Sequence, residues 1–384
     1  MPLTIDVIQE LDGLSGLADE WNRLASRFKT PLLRHEWFTS CAEAFCPPGK
    51  LSIMVGREEG EIVVIAPLVS NPSFGVRRLE ILGTAVLGEL SGFLYKDDRS
   101  LADLMNVILA SRRPLLFRGL LSDSPEIRCL KEVRHSRLSY GESAEFASPW
   151  VPVSTSWEKF YPTISSSWRS TLRRAQRRAE EIGPVQYEFV TPTPETLGQY
   201  LPEMFRVESA GWKSRTGTAL QASAVLSRFF HGYATSAARL GMLQFAFLRI
   251  GGKPVAAQFL IVYGGRLWVL KVGYDEAYSR CSPGILLMHR VVQYAFEQSF
   301  EAFEFLGANE PWTGIWKPEL HRHEMYRRYP LSPLPIVGHG LEASNAVLAR
   351  IRTIMKKERD GTPWRLLVKK AASRFRRRRV GVLP

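Results

Sequence analysis

The chain has 384 residues, 45% of them hydrophobic and 11% aromatic, and a formal net charge of +13. That composition excludes wholesale disorder, a collagen-like repeat and a disulfide-stapled mini-domain, and the length suffices for two or three domains, each burying its own core. The charge is unevenly placed: residues 350–384 hold 13 basic and two acidic side chains, so the remaining 349 carry a net of only +2 and lack the basic footprint of a nucleic-acid-binding core.

The N-terminus, MPLTIDVIQELDG, has acids and no basic stretch before an apolar one, which argues against a secretory signal. Residues 11–29 space Leu14, Leu17, Trp21, Leu24 and Phe28 as one helical face. A second short helix is expected over 35–46. The segment 51–69 then reads as a β-hairpin turning at Glu58–Glu59–Gly60. Its strongest apolar run, 62–69, is eight residues long, against the roughly 20 needed to span a bilayer. Further strands are expected over 76–95, a helix over 101–111 and a buried strand at PLLFRGL. Pro149 and Pro152 mark a plausible domain boundary.

The second half opens with a helix over 168–182. Trp168, Leu172, Ala175, Ala179 and Ile182 share one face, and Arg169, Arg173, Arg174, Arg177 and Arg178 cover the rest. Gly183–Pro184 ends it. The strand VQYEFV, helices near 195–209 and 223–240, and two hairpins turning at Gly251–Gly252 and Gly264–Gly265 come next. SRCSPGILLMHRVVQYAFEQ reads as a turn opening into a helix, and EAFEFLG as a strand. GREEGEIVVIAPLV (56–69) and LRIGGKPVAAQFLI (248–261) each place Arg, then Gly three residues on, then an apolar strand. With the similar order of elements, this raises internal duplication of one α/β unit against a chance likeness of hairpins.

Cys41, Cys46, Cys129 and Cys281 form no CxxC pair and read as free thiols of a cytoplasmic protein. His321 and His323 could supply two ligands to a metal, but no HExxH motif or nearby partner supports them, and no metal is expected. The densest chemistry lies at 267–285: a strand, then Ser282–Pro283–Gly284, then a helix. First-turn amides lack intrahelical partners and carry the positive end of the helix dipole, so they can receive a pyrophosphate, with Arg280 adding charge. The alternative is an ordinary strand-to-helix turn. No GxGxxG, GxxxxGK[ST] or GxSxG motif is present.

The run GYDEAYSRCSPGILLMHRVVQYAFEQSFEAFEFLGANEPW resembles the C-terminal part of the CelD-like acetyltransferases, a branch of the GNAT superfamily of acyl-CoA-dependent N-acyltransferases associated with exopolysaccharide synthesis. SSWRSTLRRAQRRAEEIG resembles that family's arginine-rich helix, and VESAGWKSRTGTAL its Trp-Lys segment. EWNRLASR, PLLRHEWF and IAPLVSNPSFGVRRLEILGT resemble its N-terminal half, so the likeness spans about residues 10–330. The related FemAB-like peptidyltransferases carry two GNAT units in one chain.

The resemblance implies a mixed α/β fold of two tandem GNAT-like units, each a mixed central sheet flanked by helices. Residues 1–150 would form the first unit, 151–335 the second with the acyl-CoA site, and 336–384 a basic helical tail. Acyl-CoA would lie in a splayed gap between the strand ending at Val272, Gly273 and Tyr274 and the strand of Phe303–Leu306. The backbone of the first strand would hold the pantetheine arm, and the amides around Ser282, Gly284 and Ile285 the pyrophosphate. An amine would attack the thioester directly. Glu304 or Glu310 could accept its proton, with Asp275 and Glu208 as weaker candidates, and Tyr274 could protonate the leaving thiolate; the alternative for each carboxylate is a solvated surface acid or an ion pair. Where the family commonly has a Tyr-Lys pair, this chain has Trp312–Thr313, with Lys317 further on.

Trp212 and Lys213 could bind the acceptor by ring stacking and charge; the alternative is a core tryptophan beside a surface lysine. Arg173 and Arg177 could cradle the diphosphate of a nucleotide sugar or lipid-linked acceptor; the alternative is a solvated helix face. Cys281 reads as structural rather than as a nucleophile. In the tail, 341–357 and 364–379 have the pattern of amphipathic helices. The second sets Trp364, Leu367, Val368, Ala371 and Phe375 against basic residues, which suits peripheral contact with an anionic membrane at its inner face; nucleic acid is the rival polyanion, and the further alternative is a solvated, disordered end. The expected function is N-acyl transfer from acyl-CoA to an amino group of a sugar or cell-envelope precursor. The alternatives are aminoacyl-tRNA-dependent peptidyl transfer and a non-catalytic GNAT-fold scaffold on a membrane or polysaccharide assembly.

Overall fold

A computed structural model describes residues 3–73, 76–133, 139–211 and 223–330. Its strands are β1 (Thr4–Ile8), β2 (Ile53–Glu58), β3 (Glu61–Ala66), β4 (Leu68–Ser73), β5 (Val76–Ile81), β6 (Leu94–Tyr95), β7 (Leu115–Leu121), β8 (Ser139–Pro152), β9 (Val185–Val190), β10 (Leu243–Ile250), β11 (Lys253–Tyr263), β12 (Arg266–Tyr274), β13 (Ala302–Glu304) and β14 (Glu319–Pro330). The longer helices are α1 (Ala18–Ala25), α2 (His35–Phe45), α3 (Asp98–Ala110), α4 (Pro125–Val133), α5 (Ser166–Glu180), α6 (Leu197–Ser209), α7 (Ala224–Arg239) and α8 (Pro283–Glu297).

Ten strands form one mixed sheet in the order β4-β5-β7-β14-β8-β13-β12-β11-β10-β9, and four form a second, β1-β2-β3-β6. The two halves repeat one sequence of elements. A strand, two helices and an antiparallel run lead to a fourth strand, then a helix and a fifth strand parallel to the fourth: β5 with β7, and β12 with β13. The third strand is continuous in the second half as β11 but is interrupted at Pro67 in the first, where β3 joins one sheet and β4 the other. The final strands are exchanged. β14 pairs with β7, β8 pairs with β13, and β8 and β14 pair antiparallel with each other over the full length of β14.

The repeat extends to a defect in the ladder. The β2–β3 register shifts between Gly56 and Arg57, and the β10–β11 register shifts between Leu248 and Arg249. These are the two positions that coincide when the short sequence patterns are superposed. A bulge re-aims the side chain beside it. Arg57 meets Glu20 of α1 through two bonds of 2.8 and 3.2 Å, and Arg249 meets Glu203 of α6 through two of 2.7 and 3.0 Å. Arg249 also reaches Glu188 at 2.7 Å.

The sheet is covered on both faces, which is why strand alternation is weak in its middle. One core cluster includes Trp21, Phe38, Phe229, Phe245 and Trp268 beneath α1, α2, α6 and α7. The other includes Leu248, Leu260, Val269, Leu287, Val291 and Phe303 beneath α5 and α8. Three expectations are corrected. Pro149 and Pro152 lie inside β8, a central strand, and do not mark a linker. The helix expected over 11–29 is broken into Asp12–Ser15, α1 and a 3-10 turn at Ser26–Phe28. The strand expected through Leu306 stops at Glu304. The amphipathic segments 341–357 and 364–379 lie outside the described residues. No helix among the described residues is long and apolar enough to cross a membrane. The four cysteines are free thiols.

Candidate active site

The site is built by two strands that pair and then part. β12 and β13 are in parallel register only at Arg266–Ala302, Leu267–Phe303 and Trp268–Glu304. Just beyond, β12 carries a bulge: Leu260 faces Val269 while Phe259 faces Lys271, so Leu270 is an extra residue on β12. A bulge bends and twists the strand that bears it. β12 then runs on along β11 to Tyr274, while the chain after β13 turns onto β8. Phe305 N–H donates to the Pro149 carbonyl at 3.2 Å and Asn309 N–H to that of Ala147 at 3.1 Å. Leu306 and Gly307 adopt left-handed conformations at that departure (φ 57° and 62°).

Between the parted segments lies a cleft of about 580 Å³. Its strand wall is Val272, Gly273 and Tyr274; its helix wall includes Ser282, Gly284 and Ile285; its far rim includes Leu306, Gly307, Glu310 and Trp312. The floor is made by the end of α6. A Cβ on Gly273 would stand 2.4 Å from Glu208 Cα, so only glycine lets helix and strand meet there. Across the cleft, a Cβ on Gly284 would lie 3.1 Å from the Tyr274 ring.

α8 begins at the cleft because Ser282, in the left-handed conformation (φ 50°), turns the chain and Pro283 presets the first helical residue. The Ser282 amide donates to the Ser279 carbonyl at 3.0 Å and the Ile285 amide to the Ser282 carbonyl at 3.1 Å. Among the described residues the Gly284 amide has no such partner, and it is the group at this helix start best placed to meet an anion.

Of the residues expected at the site, Val272, Gly273, Tyr274, Ser282, Gly284, Ile285, Glu310 and Glu208 line the cleft together. Arg280 is exposed and does not line it; its carbonyl accepts a 3.3 Å bond from Arg178 of α5. Arg173 and Arg177 are exposed on α5, the latter 3.6 Å from Glu181, and neither lines the cleft. Glu304 is buried away from it, held by Arg266 at 2.5 Å and His321 at 3.1 Å, so its carboxylate is committed to an ion-paired cluster. That cluster, with Trp150 stacked on His321 at 5.0 Å, also accounts for the histidine considered as a metal ligand. Among the described residues no group of His, Cys, Asp and Glu could hold a metal ion. Trp212 and Lys213 lie outside the described residues. Cys281 is buried, its thiol bonded to the Tyr278 carbonyl and pushed up in pKa by burial, as suits a structural residue.

Several lining residues escaped the sequence reading: Gln258, Gly211, Leu287, Met288, Gly307 and Ala308. Gln258 had a signal, a single carboxamide within the apolar strand VAAQFLIV. Glu89 had none. It comes from the first half, and its carboxylate accepts a 3.2 Å bond from the Gly307 amide at the cleft rim. Burial raises its pKa, with nearby Lys271 opposing.

Residues 166–313 match the acetyltransferase (GNAT) domain family. That stretch spans the cleft, and the match makes the chain an acyltransferase, which implies an acyl-CoA co-substrate and an acyl acceptor. Among curated proteins none matches the sequence. The fold is similar to that of FemX (12% identity, TM-score 0.56, covering 86% of this chain and 98% of that one). It is similar also to the C-terminal DUF2156 domain of a protein named as a lysylphosphatidylglycerol synthetase from Agrobacterium fabrum (12%, 0.55, 87% and 95%). A conserved protein of unknown function from Bacteroides thetaiotaomicron shares the fold too (12%, 0.51, 85% and 100%).

Proposed function

We propose that this acyltransferase uses the β12–α8 cleft to transfer an acyl group, acetyl in the simplest case, from acyl-CoA to an amino group, with a sugar or cell-envelope precursor as the acceptor class to screen first. The observation that carries the reading is the parting of β12 from β13 beside the Gly284 amide. It leaves strand backbone facing the gap along one wall and a helix start at the other, which suits an elongated ligand with an amide-bearing arm and an anionic end.

In this reading the backbone of Val272–Tyr274 aligns the arm, and the Gly284 amide with the helix dipole meets the pyrophosphate. The amine nitrogen bonds to the thioester carbonyl carbon, and the carbon–sulfur bond breaks as the tetrahedral species collapses. The amine proton passes to Glu310, which is exposed at the rim and can release it to water. Glu208 also lines the cleft but is buried and engaged within the protein. The Tyr274 hydroxyl donates a proton to the departing thiolate and regains one from water. We further propose that the two halves, β1 to β7 and β9 to β13, are copies of one GNAT-like unit whose final strands, β14 and β8, are exchanged; the shared bulge and its arginine–glutamate bridge support this.

Titration calorimetry with acetyl-CoA and CoA, then turnover on amino sugars with RNA absent, tests the reading. Binding in the micromolar range and a fall in kcat of at least about 100-fold in Glu310→Gln are expected, while Glu304→Gln changes stability more than rate. No binding at millimolar ligand would overturn it. Turnover only with a charged RNA would transfer the site to peptidyl transfer.

A further inference from the structure

Gln258 lies on β11 opposite Val272, one strand inside the splayed gap, and lines the cleft although it is only 1% exposed. Its neighbours under α8 are apolar, Leu287 and Met288 among them. The carboxamide has one weak contact, from Nε2 to the Met288 sulfur at 3.9 Å. Among the described residues its Oε1 has no hydrogen-bond partner. A buried carbonyl left unpaired costs about 1–3 kcal/mol, so such groups are rare and call for a reason. Leucine or methionine would pack equally well against Met288 without that cost. The position therefore carries a penalty that a ligand can remove.

Resting on the acyl-CoA reading above, we propose that Gln258 is a binding residue for the donor substrate, accepting a hydrogen bond at Oε1 from an N–H or O–H of the acyl-CoA seated in the cleft. Two parts of such a ligand carry that chemistry: the amide N–H groups of the pantetheine arm, present in every acyl-CoA, and a hydroxyl on the acyl chain. An unsubstituted longer acyl chain pressed against Gln258 offers no donor and leaves the penalty in place.

The test measures Kd by calorimetry for CoA, acetyl-CoA, butyryl-CoA and 3-hydroxybutyryl-CoA on the full chain and on Gln258→Leu. The variant should melt at or above the wild-type temperature, because it loses an unpaired buried carbonyl and keeps its packing volume. Its affinity should nevertheless fall about tenfold, the equivalent of about 1.4 kcal/mol. A loss shared by all four ligands assigns the bond to the pantetheine arm, and a loss confined to 3-hydroxybutyryl-CoA assigns it to the acyl hydroxyl. Equal or tighter binding of all four by Gln258→Leu overturns the proposal while leaving the acyl-CoA reading intact. Should the variant melt lower, Gln258→Met serves as the packing control under the same criterion. Absence of binding by the wild type overturns both.

Discussion

The two halves of the molecule share an order of elements, a ladder defect and an arginine–glutamate bridge, yet they treat the gap between their fourth and fifth strands in opposite ways. In the second half β12 is nine residues long, bends at Leu270 and delivers the chain through Ser282 into a 15-residue helix, leaving a cleft between. In the first half β5 is six residues long and is followed first by a four-residue helix, Thr84–Leu87, with the longer α3 coming only after β6. The loop after that helix folds back onto β7. A Cβ on Gly119 would lie 2.6 Å from the Glu89 carbonyl, Ser91 N–H donates to the Gly119 carbonyl at 3.0 Å, and Phe93 is packed edge-on against Phe117. The first half thus covers its own fifth strand with a loop, and the same loop sends Glu89 to the rim of the other half's cleft. The shared framework sets the strands; the segment leaving the fourth strand decides whether a ligand can enter.

The largest way to break this contrast is to close the open half. Gly273→Ala places a methyl group 2.4 Å from the Glu208 Cα, a backbone atom that cannot rotate away. α6 must move off β12, at a cost of about 1–3 kcal/mol in stability. Acetyl-CoA binding by calorimetry should be lost, since the displaced helix end forms the cleft floor. Gly284→Ala, facing only the edge of the Tyr274 ring at 3.1 Å, should weaken binding without abolishing it. Equal effects of the two changes would show that the α6 contact does not shape the cleft.

Next in size is the bulge arginine of each half. Arg249 serves two carboxylates, and its side chain is 16% exposed; Arg57 serves one and is 26% exposed. Hydrogen bonding to Glu203 and then Glu188 holds the Arg249 guanidinium above its ordinary pKa despite burial, and Arg57 holds Glu20 below the usual carboxylate range. Arg249→Ala leaves two half-buried acids facing each other and should cost about 2–3 kcal/mol in urea unfolding. Arg57→Ala, nearer the surface limit, should cost about 1 kcal/mol. Equal losses would place the asymmetry of the halves in the cleft alone.

Much of the framework was legible because it obeys local rules. The hairpin at 51–69, the arginine-rich helix, the two hairpins at Gly251–Gly252 and Gly264–Gly265 and the helix start at Pro283 are each written in periodicity and turn chemistry. Six of the expected cleft residues lie close together in the 272–285 segment, where turn chemistry marked Ser282 and Gly284 and the family resemblance implied Val272, Gly273, Tyr274 and Ile285. The hidden features depend on long-range pairing. Pro149 and Pro152 have the look of a linker, yet β8 accommodates them in the sheet centre because the final strands of the two halves are exchanged. Glu304 alternates on β13 as a cleft residue should, but the strand parts only after it, so its side chain meets Arg266 and His321 instead. Glu89 is about 220 residues away from the rim it touches, a distance no local pattern encodes.

A final contrast between the halves lies in their response to acid. α8 carries His289, enclosed by Trp157, Tyr161 and Trp316, its Nδ1 without a partner among the described residues. The corresponding α3 has no histidine. Burial, with Arg290 adding repulsion, pushes the His289 pKa down from 6.5 to about 4. The unfolded chain therefore takes up the proton first as pH falls. The contribution is complete above about pH 6.5 and is lost progressively as pH drops towards 4. Between pH 7 and pH 4.5 the loss should reach about 2 kcal/mol. His289→Phe keeps the ring stacking and removes the titration, so the fall in urea-unfolding stability over that interval should shrink by this amount. If the variant and the wild type lose stability in parallel, another group carries the acid sensitivity, and the helix flanking the cleft is no more acid-labile than its counterpart.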